Sequence, residues 1–319
     1  MTSLATVIIP TYNRAYLLLR ALDSVKAQNY RPIEVLVVDD GSTDDTAELV
    51  QQWSNENADT LLKYTFKENG GPSSCRNIGI RQANGDYIYF LDSDDYMHSN
   101  LLTDAIRVLL DEQADCVLFG FEWISPMEDM GKTWLPPDQP ALKSFFENSL
   151  WGYTSASLKR ADLVQETGLW NEKTSFGEDH EYLGRSLLNS GKTVVLQKAL
   201  LTVTRSGESL GSRKDSKEGL EHRLVAEKSL IDEIMQRKTS IPGHLLAAYS
   251  DRLIKTAINM HAKGEGDFAR ELGRLAFRMH DKPDSALSSI KRIVWKQGRW
   301  ACWIWVRLLQ ARRIARIEN

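Results

Sequence analysis

Three carboxylates fall within four positions at Asp92-Ser93-Asp94-Asp95, directly after the apolar run Tyr87–Leu91. Like charges at that spacing cost free energy unless a cation neutralises them. Oxygen-only ligands at such density suit a hard divalent ion, Mn²⁺ or Mg²⁺, of the kind that commonly also binds substrate phosphates. The pattern is not an EF-hand loop. Counted from Asp92, the fifth position is Tyr96, the sixth is Met97 where glycine is required, and the twelfth is Thr103. Capping of a following helix would use one or two of these aspartates and leave the third unexplained.

Three further segments carry residues suited to a nucleotide. In Val7-Ile8-Ile9-Pro10-Thr11-Tyr12-Asn13-Arg14, Pro10 stops a strand, and Thr11 and Asn13 are placed to cap the helix that follows. Backbone amides at that helix start, with Arg14 beside them, suit a diphosphate or a base edge. In Val37-Val38-Asp39-Asp40-Gly41-Ser42-Thr43-Asp44, adjacent carboxylates at a strand end can accept hydrogen bonds from a uracil N–H or ribose hydroxyls, although a solvated turn has the same composition. In Asn69-Gly70-Gly71-Pro72-Ser73-Ser74-Cys75-Arg76-Asn77-Ile78-Gly79, glycines permit close backbone approach as a helix opens, and Arg76 is placed to meet phosphate.

The elements that must hold these corners alternate in period. Leu4–Ile9, Val35–Val38, Leu61–Phe66, Tyr87–Leu91 and Cys116–Phe119 read as buried strands. Between them, Leu18, Leu22 and Val25 share one face of a helix over Ala15–Gln28. A second helix follows the Ser42-Thr43-Asp44-Asp45 start signal and ends near Trp53, and two more cover residues 73–84 and 99–111. Strands and helices in this order predict an α/β fold with a mostly parallel sheet covered on both faces, whose ligands lie beyond the carboxyl ends of the strands. From 121 to 142 the pattern gives way to a loop with Pro126, Pro136, Pro137 and Pro140. A second α/β stretch runs to about 205, Ser206–Lys217 reads as a mobile polar segment, and the remainder reads as helical. There is no internal repeat and no low-complexity tract.

Taken together and in this order, the four motifs closely resemble the nucleotide-sugar-binding half of the inverting glycosyltransferases of family 2. The resemblance covers residues 1–120 nearly throughout, with Cys75 where alanine is commoner. It implies a Rossmann-like GT-A fold over residues 1–215, divided into a nucleotide-sugar half (1–120) and an acceptor half (121–215), followed by a C-terminal helical region (216–319). It also implies a nucleoside-diphosphate-sugar donor, a UDP-sugar being favoured, and an Mn²⁺ or Mg²⁺ ion. The residues it assigns to the donor are Pro10, Thr11, Tyr12, Arg14, Asp40, Arg76, Asp92, Ser93 and Arg205. Tyr12 would lie near the base and Asp40 on the base or ribose. Asp92, Asp94 and Asp95 are the candidate metal ligands; the motif reads in two registers, so Asp94 and Asp95 both stand as the main one.

Inverting transfer also needs a base for the acceptor hydroxyl. Ser175-Phe176-Gly177-Glu178-Asp179-His180-Glu181-Tyr182, at the start of a helix ending near Ser190, is similar to the family's G-E-D signature. That similarity makes Asp179 the catalytic base, with Glu178 beside it, although acidic residues in a first helical turn also follow from the helix dipole. His180 is left outside the metal set, as a histidine that hydrogen-bonds its neighbouring carboxylates. Arg205, Ser206 and Ser209 occupy the place of an R-x-H-x-x-S segment, with Gly207 and Glu208 where its histidine is sought. Trp151 and Trp170 flank the acceptor half, as sugar-stacking platforms or as core.

Composition narrows the remaining classes. The chain has 319 residues, 42 % of them hydrophobic and 26 % charged, the balance of a soluble globular protein. A net charge of −3 argues against a nucleic-acid partner. Three separated cysteines (Cys75, Cys116, Cys302) form neither a disulfide framework nor a zinc cage and fit a reducing cytosol. No signal peptide or membrane span is evident. The expectation is a cytoplasmic enzyme. Residues 291–319 combine four tryptophans with a basic excess; Arg292, Lys296, Arg299, Arg307 and Gln310 share a helical face. That pattern suits peripheral contact with an anionic bilayer on the inner face of the cytoplasmic membrane. The acceptor would be a glycan or a lipid-linked glycan of a surface polysaccharide. The alternatives are a sugar-nucleotide pyrophosphorylase, whose first turn should carry glycines that Pro10–Arg14 lacks, and a degenerate transferase serving as a scaffold.

Overall fold

A computed structural model describes residues 3–124, 131–147, 150, 153–204 and 216–279. The first strands are largely apolar: β1 (Ala5–Thr11) and β4 (Tyr87–Phe90) are buried at every position, and β2 (Ile33–Asp39) at all but one. Such runs suit parallel strands covered on both faces, and β1 pairs parallel with both β2 and β4. Side chains alternate between the faces. Val7 and Ile9 point to a core shared with α1 (Ala15–Lys26), α2 (Thr46–Glu56) and α4 (Leu101–Asp111). Ile8, Leu36, Ile88 and Phe90 point the other way, toward Val164, Trp170 and Tyr182. On that face α3 (Pro72–Gln82) presses so close to β1 that a Cβ on Gly79 would lie 2.3 Å from Cγ2 of Ile8.

β3 (Leu61–Phe66) corrects one expectation. It pairs parallel with β2, yet Leu61 and Phe66 are 64 % and 59 % exposed. An edge strand has a partner on one side only, and here Leu62 and Tyr64 alone pack partly against the core.

The parallel pattern holds across β3-β2-β1-β4 and then turns mixed. The full order is β3-β2-β1-β4-β8-β6-β9-β5, in which β5 is Tyr96–Met97, β6 Cys116–Ile124, β8 Ser157–Arg160 and β9 Thr193–Thr204. β8 runs antiparallel to β4 and β6, whereas β6 and β9 are parallel with register shifts around Gly120. The predicted loop over 121–142 is also corrected. β6 continues to Ile124, and β7 (Lys132–Trp134) pairs back on it, with Trp134 stacked on Phe121 at 5.0 Å between ring centres.

Beyond the sheet lie α5 (Ala141–Phe146), α6 (Ala161–Thr167) and α7 (Glu178–Asn189), then the C-terminal helices α8 (Lys217–Gln236), α9 (Gly243–Ala262) and α10 (Gly266–Arg278). These C-terminal helices do not form a core of their own. Leu230, Ile234, Tyr249 and Leu253 share one cluster with Phe145 of α5 and with Leu183 and Leu187 of α7. Among the described residues no helix is long and apolar enough to cross a membrane. Cys75 and Cys116 are buried free thiols. The tryptophan-rich segment 291–319, Arg205 with Ser206 and Ser209, and Trp151 lie outside the described residues.

Candidate active site

The carboxyl ends of β1 and β2 are laced together by their turns. The Asn13 amide donates to Ser42 Oγ at 2.8 Å, and the Thr43 amide donates to Asn13 Oδ1 at 2.8 Å. Asn13 thus ties the two corners and does not cap α1, whose Ala15 amide donates to Asp44 from the neighbouring turn. Tyr12 projects from the corner, 47 % exposed, while the buried Thr11 hydroxyl has no partner among the described residues. Asp40 is buried and draws in the glycine-rich segment. It accepts from the amides of Gly70 and Gly71 at 2.8 and 2.7 Å and pairs with Lys67 at 2.5 Å. Gly71 supports this turn at φ +88, backbone that side chains rarely adopt. Asp39 is fully buried beneath, accepting from the Ser42 amide and the Tyr64 hydroxyl.

The Asp92–Asp95 turn separates its three carboxylates. Asp92 pairs with Arg76 at 2.8 Å and Asp94 with Arg14 at 2.5 Å, both partly accessible. Asp95 is turned inward, fully buried, and accepts from the Thr204 amide and the Tyr153 hydroxyl, each at 3.1 Å. Ser93 is buried beside it. Arg20 holds the turn from below, donating to the Asp94 carbonyl at 2.6 Å and to Thr204 Oγ1 at 2.7 Å. Burial, and then repulsion from Asp92, hold the Asp95 carboxyl well above the usual range; burial also raises Asp94, against the opposing pull of Arg14. No group of three or more potential ligands is assembled among the described residues. The two accessible oxygen donors nevertheless fit Mg²⁺ or Mn²⁺, which takes one or two carboxylates and completes its shell with substrate phosphates and water. A divalent ion would also relieve the repulsion that raises these carboxyls.

Arg76 joins this turn to the predicted base. Its guanidinium is buried over the Trp170 ring at 4.5 Å, pairs with Asp92, and lies 3.8 Å from Asp179 Oδ1. Its Nε and the nitrogen facing Asp179 make no hydrogen bond. Trp170, one of the two tryptophans considered for sugar stacking, is 3 % exposed and stacks on Tyr182 at 3.9 Å, so it is core.

Asp179 and Glu178 open α7 after Gly177, whose φ of +83 turns the chain into the helix. Asp179 keeps 31 % side-chain exposure and accepts a hydrogen bond from the Thr154 hydroxyl. Burial raises its carboxyl, with Asp92 adding to the rise and Arg76, Thr154 and Lys159 opposing it. Glu178 is more enclosed, and burial with repulsion from Asp179 pushes it up to about 7. His180 does not bond the carboxylates beside it. It stacks on Phe145 at 4.4 Å and accepts from Arg252 at 2.8 Å.

Pro10, Thr11, Tyr12, Arg14, Asp40, Arg76, Asp92, Ser93, Asp94, Asp95, Glu178 and Asp179 therefore belong to connected turns around Arg76 and the strand ends. Several of their partners carried no motif of their own. Lys67, Tyr153, Thr154 and Lys159 have unremarkable neighbours in the chain. Lys159 stands in the polar strand Ser157–Arg160 and is nevertheless buried, donating to Ser157 at 2.7 Å.

Comparison with known proteins agrees with this geometry. The family model described as glycosyl transferase family 2 matches residues 6–156. The chain is 28 % identical over 281 residues to the glycosyltransferase GlyA of Streptococcus pneumoniae, covering 83 % of this chain and 39 % of that protein. It is 26 % identical over 286 residues to the poly(ribitol-phosphate) beta-N-acetylglucosaminyltransferase TarS of Staphylococcus aureus, covering 87 % of this chain and 47 % of TarS. It thus spans about half the length, or less, of these relatives. Its fold superposes on the crystal structure of S. aureus TarS 1-349 in complex with UDP-GlcNAc with a TM-score of 0.70, at 20 % identity over 93 % of this chain and 92 % of that one. The mannosyltransferase PcManGT from Pyrobaculum calidifontis, in complex with GDP-Man and Mn²⁺, superposes with a TM-score of 0.57 at 17 % identity, over 100 % of this chain and 87 % of that one. With the four strand-end motifs, the G-E-D helix start and this sheet order in one molecule, residues 6–156 carry a glycosyltransferase family 2 domain and the chain has the GT-A fold.

Proposed function

We propose that this protein transfers a sugar, with inversion, from a nucleoside-diphosphate-sugar to a hydroxyl of a glycan or lipid-linked acceptor in surface-polysaccharide biosynthesis. The observation that carries the reading is Arg76, which contacts Asp92 of the acidic turn and lies 3.8 Å from Asp179. One buried cation thereby couples the donor-side carboxylates to the acceptor-side base. A UDP-sugar is the favoured donor, because Asp39, Asp40 and Tyr12 cluster where a base and ribose would lie, and because the TarS neighbour is complexed with UDP-GlcNAc.

In this reading Asp179 accepts the acceptor's hydroxyl proton as that oxygen attacks the anomeric carbon. The bond from that carbon to the diphosphate oxygen breaks, and the nucleoside diphosphate departs with the electron pair. The raised carboxyl of Asp179 makes it a stronger base than an exposed aspartate, while Arg76 and Thr154 oppose that rise and the Thr154 hydrogen bond orients it. Asp92 and Asp94 would hold an Mn²⁺ or Mg²⁺ ion, with Asp95 supporting the turn from within. When bound, such an ion supplies charge stabilisation for the departing diphosphate. Arg14 and Arg76 add fixed positive charge on the same side. Contact of residues 291–319 with an anionic bilayer would bring a lipid-linked acceptor to the site.

Asp179→Asn tests the central assignment. Turnover should fall by at least about a thousandfold, a typical scale for losing a positioned base. Calorimetric affinity for UDP with Mn²⁺ should stay within about twofold. Wild-type-like turnover in that variant would remove Asp179 as the base.

A further inference from the structure

The segment bearing Asp179 is held from both sides by helices that no part of the reaction uses. On its N-terminal side, the amide of Ser175 donates to Nδ1 of His222 on α8 at 2.9 Å. Gly177 packs directly on α8, where an added Cβ would lie 3.4 Å from Ala226 Cβ. On its C-terminal side, His180 accepts from Arg252 of α9 at 2.8 Å, and Glu181 accepts from Ser229 of α8 at 2.7 Å. Arg252 is itself locked. It makes two bonds of 3.0 Å to the buried Glu227 of α8 and lies 4.1 Å over the Tyr249 ring, while the Tyr249 hydroxyl donates to Glu227 at 2.8 Å. Phe145 of α5 closes the arrangement by stacking on His180.

A carboxylate at the first turn of a helix has its position set by the turn that leads into it. Here that turn follows a left-handed glycine, so local backbone preference alone does not fix its direction. We propose that α8 and α9 position Asp179 for proton transfer, with His222 and Arg252 as the positioning residues acting through Ser175 and His180. The proposal rests on the assignment of Asp179 as the base. The Arg252–Glu227 pair is buried and satisfied across two helices, which suits a rigid anchor better than a surface tie. Displacements of about 1 Å at a reacting group can cost on the order of a hundredfold in rate.

The experiment compares His222→Ala, His222→Asn and Arg252→Lys with the full-length wild type. Turnover is followed as UDP release from whichever UDP-sugar of a panel the wild type consumes fastest with Mn²⁺. His222→Ala should lower kcat by about tenfold to a hundredfold while the donor KM stays within about twofold. His222→Asn, whose amide oxygen can accept from Ser175, should recover most of that loss. Arg252→Lys retains the charge facing Glu227 but loses the second guanidinium nitrogen, which reaches His180, and should show the same split. Unchanged kcat in folded His222→Ala and Arg252→Lys would overturn the proposal. So would a kcat loss that His222→Asn fails to recover, or one matched by an equal rise in donor KM. Asp179→Asn is run alongside. If it keeps turnover, the base assignment falls and this proposal with it; if it is inactive while His222→Ala is wild-type-like, the positioning proposal alone fails.

Discussion

Glu178 and Asp179 are neighbours with different surroundings, and pH should expose the difference. Burial and the adjacent Asp179 carboxylate raise Glu178 to about 7. Between the ordinary glutamate range and that value, the folded protein keeps a proton that the unfolded chain has released. The contribution of Glu178 to stability therefore declines as pH rises through this window. Glu178→Gln abolishes that dependence. Its melting temperature should exceed that of the wild type at about pH 8 and match it near about pH 3.5, below the ordinary glutamate range, where both states hold the proton. Thermal melts at the two pH values check this, and a variant less stable than wild type at the higher pH would contradict it. Arg76 is the opposite case, a buried cation given meaning by Asp92 and Asp179 on either side of it.

Elements explain residues whose role the motif alone leaves open. Gly79 ends the Asn77-Ile78-Gly79 stretch, and its position follows from the contact of α3 with β1, where Ile8 is fully buried and stiff at its branched Cβ. A methyl group there must push the helix from the sheet. Gly79→Ala should destabilise by about 1–3 kcal/mol, the usual cost of overpacking, despite the better helix propensity of alanine. Urea unfolding measures it, and a midpoint at or above wild type would show that α3 yields without strain. The same helix carries Arg76, so the variant should also weaken UDP binding. Asn77 shows a second such constraint: it exchanges hydrogen bonds with the Trp170 backbone at 3.0 and 2.7 Å, fastening the donor-side helix to the segment beneath Arg76.

For the whole molecule, the helical region is structural support for the sheet-bearing part. Phe145, Leu183 and Leu187 lose their cover if α8, α9 and α10 are removed, because Leu230, Ile234 and Tyr249 complete that core. A chain ending at residue 204 should therefore lack a cooperative near-ultraviolet circular dichroism melt, even though it retains every strand found among the described residues. A cooperative transition in that fragment would show that the sheet region folds alone. The strand–helix alternation through Asp111, the strand-end corners and the G-E-D helix start were all legible in the sequence, because each rests on local periodicity or on a short run of residues with a single chemical use. Local signals fail where the decision is made by distant chain. The exposure of β3 depends on its place at the sheet edge, and the pairing of β7 depends on β6 returning beside it. The inward turn of Asp95 depends on Thr204 and Tyr153, more than fifty positions away in each case. By itself the sequence determined the resemblance to family 2 and the residues proposed to carry its chemistry. Tertiary structure alone decided which carboxylates remain accessible and what holds Asp179 in place, because burial and charge pairing are properties of neighbours in space.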